Sequence, residues 1–345
     1  MTDQTVQELP IEKYINDILG TINREREREI VARRFGLFDR RETLEQIGEL
    51  LGITRERVRQ LEKAVVAKLK TSAEAGQLPH ITEVQEALKV VIENMGNIAR
   101  VQDVSQHFSP ENTRVDQSRI AFLAQLCPEL TVLDDNDHYH FAVGITAIHD
   151  DKKIKDHVAQ IIEAIKNIGE PTDAKIVAAK LGHSDHKHTE ALASTSKQLA
   201  TLNGRWGLIK WPMVNPKNIR DKIYVILHEA GKHMHFNEIA DAIKESDFKR
   251  KDVTTQAIHN ELIKDKRFVL IGRGIYALRE WGYEKGTVAD IIAKVLKKAN
   301  QPLHRDEIVK QVLKSRHVKE TTILLNLQGK PQFKRVAKAT YSLTD

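Results

Sequence analysis

Apolar residues recur at helical spacing between Ile11 and Lys70, and the pattern is clearest in the middle of this segment. Leu44, Ile47 and Leu51 follow one another at intervals of four residues or fewer, and Leu50 widens the face that they form. This spacing predicts a short amphipathic helix whose apolar face packs on a core.

Polar residues predict where this helix and the next one begin. Thr43 is a good N-cap, and Gln46 stands three residues later, as in a capping box. Gly52 supplies a tight turn, and Thr54 is the N-cap of a second helix over Arg55–Lys70. The segment therefore predicts a helix-turn-helix.

The second helix has an apolar side and a polar side. Its predicted buried stripe is Val58, Leu61, Val65 and Leu69. Arginine can bind guanine, glutamine can bind adenine, and glutamate can accept from the amino group of cytosine. Arginine, glutamine and glutamate all occur on the opposite face of the helix, which predicts a DNA recognition helix. The residues of this face are Arg55, Glu56, Arg59, Gln60 and Lys63.

A short motif of an aromatic, a small and an apolar residue recurs four times in the rest of the chain, at spacings of 65, 70 and 65 residues. The four copies are Phe141–Val143, Trp206–Leu208, Tyr276–Leu278 and Tyr341–Leu343. Upstream of each copy lies an amphipathic helix, a Gly or Asn, and a second helix beginning eight residues later. The four Gly or Asn positions are Gly96, Gly169, Gly231 and Asn300.

Each repeat contains three helical stretches followed by two β-prone runs around a turn, which predicts a winged helix. We therefore expect a mainly α fold of tandem helix-turn-helix and winged-helix modules. Five domains are predicted. The helix-turn-helix comprises residues 1–75, and the four winged helices comprise residues 80–146, 152–213, 217–282 and 285–345.

Composition narrows the class of protein. The chain has 345 residues, 41% of them hydrophobic and 30% charged, and its apolar runs are too short for a membrane span. The single cysteine, Cys127, excludes an internal disulfide framework and is expected to be buried filler. We expect a cytoplasmic, nucleoid-associated protein. The last 64 residues carry a net charge of +7, whereas the first 75 residues have no net charge. Phosphate binding without sequence preference is therefore expected in the C-terminal module.

Three stretches of the first module resemble region 4 of primary bacterial sigma factors: Arg26–Leu37, Thr43–Gly48 and Gly52–Glu62. The resemblance implies a helical domain that inserts into the major groove at the promoter −35 element and docks on the flap of the RNA polymerase β subunit. By position, Phe35 and Leu37 would contact the flap. The residues expected at DNA are Arg55, Glu56, Gln60, Arg57, Arg59, Lys63, Thr43, Thr54 and Arg26.

Two departures from this family affect the expectation. Ala64 and Ala67 occupy positions that are often basic, which predicts weaker DNA binding. The segment that melts DNA in sigma factors is not visible, so we do not expect this protein to open a promoter alone.

The later repeats resemble a second family. Trp206–Trp211 and Gly274–Trp281 are similar to the ending of the HARE-HTH domain, which occurs in the δ subunit of some bacterial RNA polymerases, and the resemblance extends over about residues 154–345. It implies contact with DNA or with the transcription machinery, although winged helices often pack on protein instead.

In the third winged helix, the third helix is expected to enter the groove. A possible second DNA site comprises Thr255, Gln256, His259, Asn260, Lys249, Arg250 and Lys251, together with Lys334, Arg335 and Lys338 near the C-terminus. Lys314, Arg316 and Lys319 are further expected phosphate ligands.

Catalytic chemistry is not expected. His183, Asp185, His186 and His188 are interpreted as plain loop residues, because no second ligand group follows at fixed spacing. We expect no metal, cofactor, enzyme activity or small-molecule substrate.

The leading hypothesis is a transcription regulator that binds promoter DNA and the RNA polymerase core. One alternative is a nucleoid-type protein with several DNA-binding modules. Another is an interaction scaffold or anti-sigma-like regulator of polymerase that does not contact DNA.

Overall fold

The computed structural model describes residues 9–283 and 285–344. They divide into two compact units, one ending at Lys210 and the other beginning at Trp211. Helices predominate, and the described strands form small antiparallel sheets. The predicted mainly α class of helix-turn-helix and winged-helix modules is confirmed. Among the described residues, no helix combines the length and the apolar character needed to cross a membrane.

The N-terminal module is helical. Gly52 ends its third helix with a φ of +64°, a left-handed conformation that glycine adopts without steric strain. The fourth helix continues to Glu74, four residues beyond the predicted end at Lys70. The helices are α1 (Ile11–Gly20), α2 (Glu25–Phe35), α3 (Leu44–Leu51) and α4 (Arg55–Glu74).

The first two winged helices complete the N-terminal unit. The first comprises α5 (Ile81–Asn94), β1 (Ile98–Arg100), α6 (Val101–Phe108), α7 (Arg114–Leu126), β2 (Leu130–Leu133) and β3 (Ala142–Ile145). The second comprises α8 (Asp151–Ile168), β4 (Thr172–Asp173), α9 (Ala174–Leu181), α10 (His186–Ser194), β5 (Leu199–Leu202) and β6 (Arg205–Leu208).

The other unit contains two more winged helices. The third comprises α11 (Ile219–Ala230), β7 (Met234–His235), α12 (Phe236–Glu245), α13 (Thr255–Lys264), β8 (Phe268–Gly272) and β9 (Ile275–Leu278), followed by a 3₁₀ turn, Arg279–Trp281. The fourth comprises α14 (Val288–Ala299), β10 (Leu303–His304), α15 (Arg305–Ser315), α16 (Glu320–Gly329), β11 (Phe333–Ala337) and β12 (Thr340–Leu343).

The repeated residues occupy equivalent places in the four winged helices. Gly96, Gly169, Gly231 and Asn300 all adopt positive φ at the end of the first helix of their module. The second helix begins five residues after each of them, at Val101, Ala174, Phe236 and Arg305, and not eight residues after as expected. A two- or three-residue strand occupies the interval.

This short strand turns the predicted two-stranded hairpin into a three-stranded sheet. In each sheet the last strand in sequence lies in the centre, in the order β1-β3-β2 and its equivalents. The aromatic residues Trp206, Tyr276 and Tyr341 lie on these central strands and are buried. The recurring motif therefore marks the strand that joins the wing to the core.

One hydrophobic core spans the N-terminal module and the first winged helix. It contains Leu19 and Leu69 from the helix-turn-helix side together with Leu88 and Phe122 from the first winged helix. The α3–α4 pair has a small core of its own, around Ile47. The division into five domains stays a prediction, and the first two of them share a core.

Candidate nucleic-acid interface

Two threonine caps fix the start of the helices in the helix-turn-helix. The Thr43 hydroxyl accepts a hydrogen bond from the Gln46 amide at 3.2 Å, and the Thr43 amide donates to Gln46 Oε1 at 2.9 Å. This is the predicted capping box. The Thr54 hydroxyl accepts from the Arg57 amide at 3.2 Å, so the predicted N-cap of α4 is also confirmed.

Burial on one side of α4 determines which side faces solvent. Val58 is fully buried against Ile30 and Ile47, and Leu61 packs at the edge of this small core. Further along, Val65 and Leu69 enter the larger core that is shared with the first winged helix. The helix is therefore held at both ends, and its opposite face is presented outward as a rigid surface.

Arg55 lies at the start of this outward face. Its side chain is 73% exposed, and its nearest acidic partner is Glu45 on α3, at 4.0 Å. An ion pair at this distance and exposure contributes little, so the guanidinium can exchange it for a base or a phosphate. Gln60 and Lys63 lie further along α4, and both are exposed.

Glu56 is the centre of a small network on the same face. Arg59 donates to both of its carboxylate oxygens, at 2.8 and 2.5 Å, and Gln60 Nε2 lies 3.5 Å from Glu56 Oε1. The hydrogen bond from Arg59 lowers the pKa of Glu56, and the same bond raises the pKa of Arg59. Arg57 Nη1 donates to Gln60 Oε1 at 3.3 Å. The polar face is thus ordered by weak surface bonds before any ligand arrives.

Arg26 connects α2 to the end of α3. Its guanidinium donates to the carbonyl of Leu51, just before the turn at Gly52. Arg26, Thr43 and Thr54 are all exposed, so these predicted phosphate or base contacts are accessible.

The two residues predicted to contact the polymerase flap are covered within the chain. Leu37 is fully buried, and its carbonyl accepts a hydrogen bond from Arg119 Nε on α7 at 2.8 Å. The ring of Phe35 packs on Phe122, also on α7, with a centroid distance of 4.9 Å. Leu37 therefore offers no free surface in this conformation, and the half-buried Phe35 offers only part of its surface. Contact with the polymerase flap stays a prediction, and the packing of these two side chains does not favour it.

A basic groove that sequence reasoning missed lies beside this contact. It has a volume of about 690 Å³ and is lined by residues of the N-terminal module and the first winged helix, among them Arg40, Arg41, Arg100 and Arg114. The Arg41 guanidinium lies 5.1 Å from the centroid of the Phe141 ring. Desolvation, with the charge of Arg34 nearby, lowers the pKa of Arg41. The pair Arg40-Arg41 is visible in the sequence, but only the fold brings Arg100 and Arg114 to it.

In the third winged helix the predicted DNA-facing residues differ in accessibility. Gln256 and Asn260 are exposed on α13 and bond to each other at 3.2 Å, whereas Thr255 is half-buried. The His259 ring packs edge-on against Phe236, with ring centroids 5.0 Å apart, so it is held against the first turn of α12.

A buried lysine, Lys222, fixes the backbone of the basic loop that precedes α13. Lys222 Nζ donates to the carbonyls of Lys249 and Arg250, at 2.8 and 2.6 Å. The side chains of Lys249, Arg250 and Lys251 remain exposed.

In the fourth winged helix the wing is basic and open. Lys334, Arg335 and Lys338 are exposed on β11 and the turn that follows it. Arg316, however, was expected to bind phosphate and is only 9% exposed. Its guanidinium donates to the carbonyl of Leu270 in the third winged helix, and burial lowers its pKa. Arg316 is a contact between two modules, so the expectation for it was wrong.

Comparison with known proteins supports the interpretation of the first module. Residues 24–71 match the family described as sigma-70, region 4. The RNA polymerase sigma factor SigA of Listeria monocytogenes is 37% identical over 83 residues, which cover 24% of this chain and 22% of that protein. SigA of Listeria innocua gives the same values, and SigA of a Bacillus species is 38% identical over 74 residues, 21% of this chain and 19% of that protein.

These matches cover a small part of this chain. The matching segment spans about a fifth of the length of these relatives. It coincides with α2, α3 and α4, the elements that form the helix-turn-helix. The resemblance of the later repeats to HARE-HTH domains stays a prediction.

Proposed function

We propose that this protein is a transcription regulator that binds promoter DNA through α4 and acts together with RNA polymerase. The observation that carries the proposal is the outward face of α4 within a segment similar to sigma-70 region 4. A helix capped at its first turn and packed along one side presents its N-terminal residues at a fixed angle, as recognition helices in the major groove do.

The polar groups on this face divide into two kinds of contact. Arg55, Glu56 and Gln60 carry donors and acceptors that match base edges, so they supply sequence preference. Positive charge toward phosphates sets the position on the duplex but not the sequence, and it comes from Arg26, Arg57, Arg59 and Lys63. The Glu56 network must open on binding, and its exposed bonds cost little to exchange.

The remaining modules add phosphate contacts in this proposal. The basic groove lined by Arg40 and Arg114 and the wing carrying Lys334 and Arg335 are both open to solvent. Weak contacts on one chain reinforce one another because the first contact raises the local concentration of the next.

Association with the RNA polymerase core is proposed from the family of the first module and from the HARE-HTH-like repeats. Because α7 packs on Phe35 and the first winged helix covers Leu37, a flap contact through both side chains requires the first winged helix to move away from them. A polymerase contact through the winged helices requires no such change.

Fluorescence anisotropy with the purified full chain tests the DNA-binding part. Two labelled duplexes are compared at the same salt concentration, one containing a promoter −35 element and the other the same bases in scrambled order. The proposal predicts a preference for the promoter duplex of about tenfold or more, which disappears in an Arg55→Ala/Gln60→Ala double variant. Equal binding of both duplexes by the native chain would contradict it.

A nucleoid-type protein with several DNA-binding modules is a second candidate, favoured by the open basic wing of the fourth winged helix. It predicts that Lys334→Ala, Arg335→Ala and Lys338→Ala together weaken binding to every duplex. The slope of log affinity against log salt is expected to become shallower by about 0.9 for each phosphate that the wing no longer neutralises. Under this candidate the Arg55→Ala/Gln60→Ala variant changes no preference.

A scaffold or anti-sigma-like regulator is a third candidate, favoured by the contact that covers Phe35 and Leu37. It predicts capture of the RNA polymerase core or a sigma factor by the purified chain, with no salt-dependent binding to either duplex.

A further inference from the structure

Three histidines from separate segments of the chain meet where the first and second winged helices approach each other. His149 follows β3, His157 lies on α8, and His188 lies on α10. Each offers a ring nitrogen, and the three nitrogens lie within 4.8 Å of one another. The rings of His149 and His188 stack at a centroid distance of 5.0 Å.

His149 is fully buried, and neither of its ring nitrogens has a hydrogen-bond partner among the described residues. The Nδ1 atom of His157 is likewise buried and unpaired there. Buried polar groups in native proteins are nearly always satisfied, so a cluster with three unpaired imidazole nitrogens indicates a ligand.

The orientation of His188 leaves one nitrogen for that ligand. Its Nδ1 lies 2.8 Å from the carbonyl oxygen of Gly96 in the first winged helix. Because a carbonyl can only accept, Nδ1 carries the proton and donates, and the lone pair of Nε2 remains free. A backbone carbonyl that fixes the tautomer in this way is typical of metal-binding histidines.

A fourth histidine lies beside these three. His183 lies next to the cluster, 5.9 Å from the His157 ring, and its Nδ1 is 2.8 Å from the Thr189 hydroxyl.

We propose that His149, His157 and His188 bind a Zn²⁺ ion. Zinc takes imidazole nitrogens at about 2.0–2.1 Å in tetrahedral geometry, which places the nitrogens about 3.3 Å apart. The ring nitrogens lie within 4.8 Å of one another, so metal binding brings them closer together. The fourth ligand is a water molecule or the Nε2 atom of His183.

The place of the cluster indicates what the metal would do. The two winged helices already approach closely here, since a Cβ added at Gly96 would lie 2.7 Å from the carbonyl oxygen of Lys187. The His140 amide also donates to the Thr195 carbonyl at 2.8 Å, beside a bridge between Tyr139 and Ser196. His157 and His188 belong to the second winged helix, whereas the backbone of His149 is hydrogen-bonded to Ile145 and Thr131 of the first. Zn²⁺ would therefore fasten the second winged helix to the segment that leaves the first.

Isothermal titration calorimetry tests this site on the full chain after metal removal by chelation and dialysis, with ZnCl₂ as the probe. The native chain is expected to bind one Zn²⁺ and to gain thermal stability when it does. His157→Gln and His188→Gln, at half-buried positions, are expected to weaken binding by about 100-fold or more. His186→Gln, on the same helix as His188, is the matched control and is expected to bind as the native chain does.

The melting temperature and circular dichroism of each metal-free variant establish that it folds. If His157→Gln does not fold, His188→Gln carries the test, and the reverse also holds. The proposal is overturned if the native chain binds no Zn²⁺, or if a folded variant at either position binds it as tightly as the native chain. It does not depend on the proposed DNA binding, because its readout is the metal alone.

Discussion

Arg55 and Gln60 are the side chains on which the proposed sequence preference depends, because both are exposed on the outward face of α4 and each can pair with one base. Replacing either by alanine is expected to reduce discrimination between cognate and scrambled duplexes by about 1–3 kcal/mol. The measurement is the ratio of the two dissociation constants at one salt concentration.

Lys63→Ala is the matched comparison on the same helix, since an ammonium group binds phosphate without regard to sequence. It should weaken both duplexes equally and leave their ratio unchanged. A ratio that falls in Lys63→Ala but not in Arg55→Ala would contradict the assignment of roles.

Thr54 controls the first turn of α4 through the bond from the Arg57 amide. Thr54→Ala is expected to cost about 1 kcal/mol locally, which corresponds to about fivefold faster hydrogen exchange in that turn. Thr54→Ser retains the hydroxyl and should exchange nearly as the native chain does. Identical exchange in the alanine and serine variants would show that the cap does not hold the turn.

Cys127 reports on the core of the N-terminal unit. Burial raises the pKa of its thiol to about 12, above the value of about 8.5 for a free thiol. The folded state therefore holds the proton more tightly, so this group opposes folding only as the pH rises above about 8.5. At pH of about 8 we expect Ellman's reagent to react far more slowly with the native chain than with the urea-unfolded chain. Equal rates would contradict a buried thiol.

Arg119 on α7 joins the first winged helix to the helix-turn-helix module. Its side chain is 12% exposed, donates to the Leu37 carbonyl and pairs with Glu12 at 3.0 Å. Arg119→Ala removes both interactions from a largely buried site and is expected to cost about 1–3 kcal/mol of unfolding free energy. The rate at which Ellman's reagent modifies Cys127 under native conditions measures this loss, because a less stable core exposes the thiol more often.

Arg114→Ala on the same helix is the control, since Arg114 is exposed and its replacement should change stability by less than about 0.5 kcal/mol. Equal acceleration of the thiol reaction in both variants would show that Arg119 has no special role in the contact.

Local signals in the sequence were sufficient for the elements around the turn. Thr43, Gly52 and Thr54 act within four residues of their own positions, so their caps and turn could be predicted directly. The strands β4, β7 and β10 have only two residues each, and they form only because a central strand lies beside them. No periodicity within so short a run reveals a strand.

Contacts between distant segments were the part of the candidate sites that the sequence did not disclose. The Leu37 carbonyl accepts a hydrogen bond from Arg119, which lies 82 residues away in sequence. Arg316 donates to the carbonyl of Leu270, which belongs to another module. The histidines at 149, 157 and 188 carry no fixed ligand spacing, so the expectation of plain loop residues around His188 followed from local pattern alone.

For the whole molecule, the structure changes how the modules are expected to act. The sequence left the arrangement of the five modules open, and the structure shows that the helix-turn-helix module shares a core with the first winged helix, which in turn contacts the second. The DNA binding proposed for α4 is therefore expected to depend on how the first winged helix is packed. Net charge alone pointed to the C-terminal module, whereas the face with base-matching groups lies in the neutral N-terminal part.

Mapping the bound sites of the purified full chain on sheared bacterial genomic DNA, with and without the RNA polymerase core, tests the central claim most directly. The proposed function predicts sites concentrated at promoter −35 positions, with occupancy that rises when polymerase is present. Sites spread evenly over the genome, with occupancy unaffected by polymerase, would contradict it.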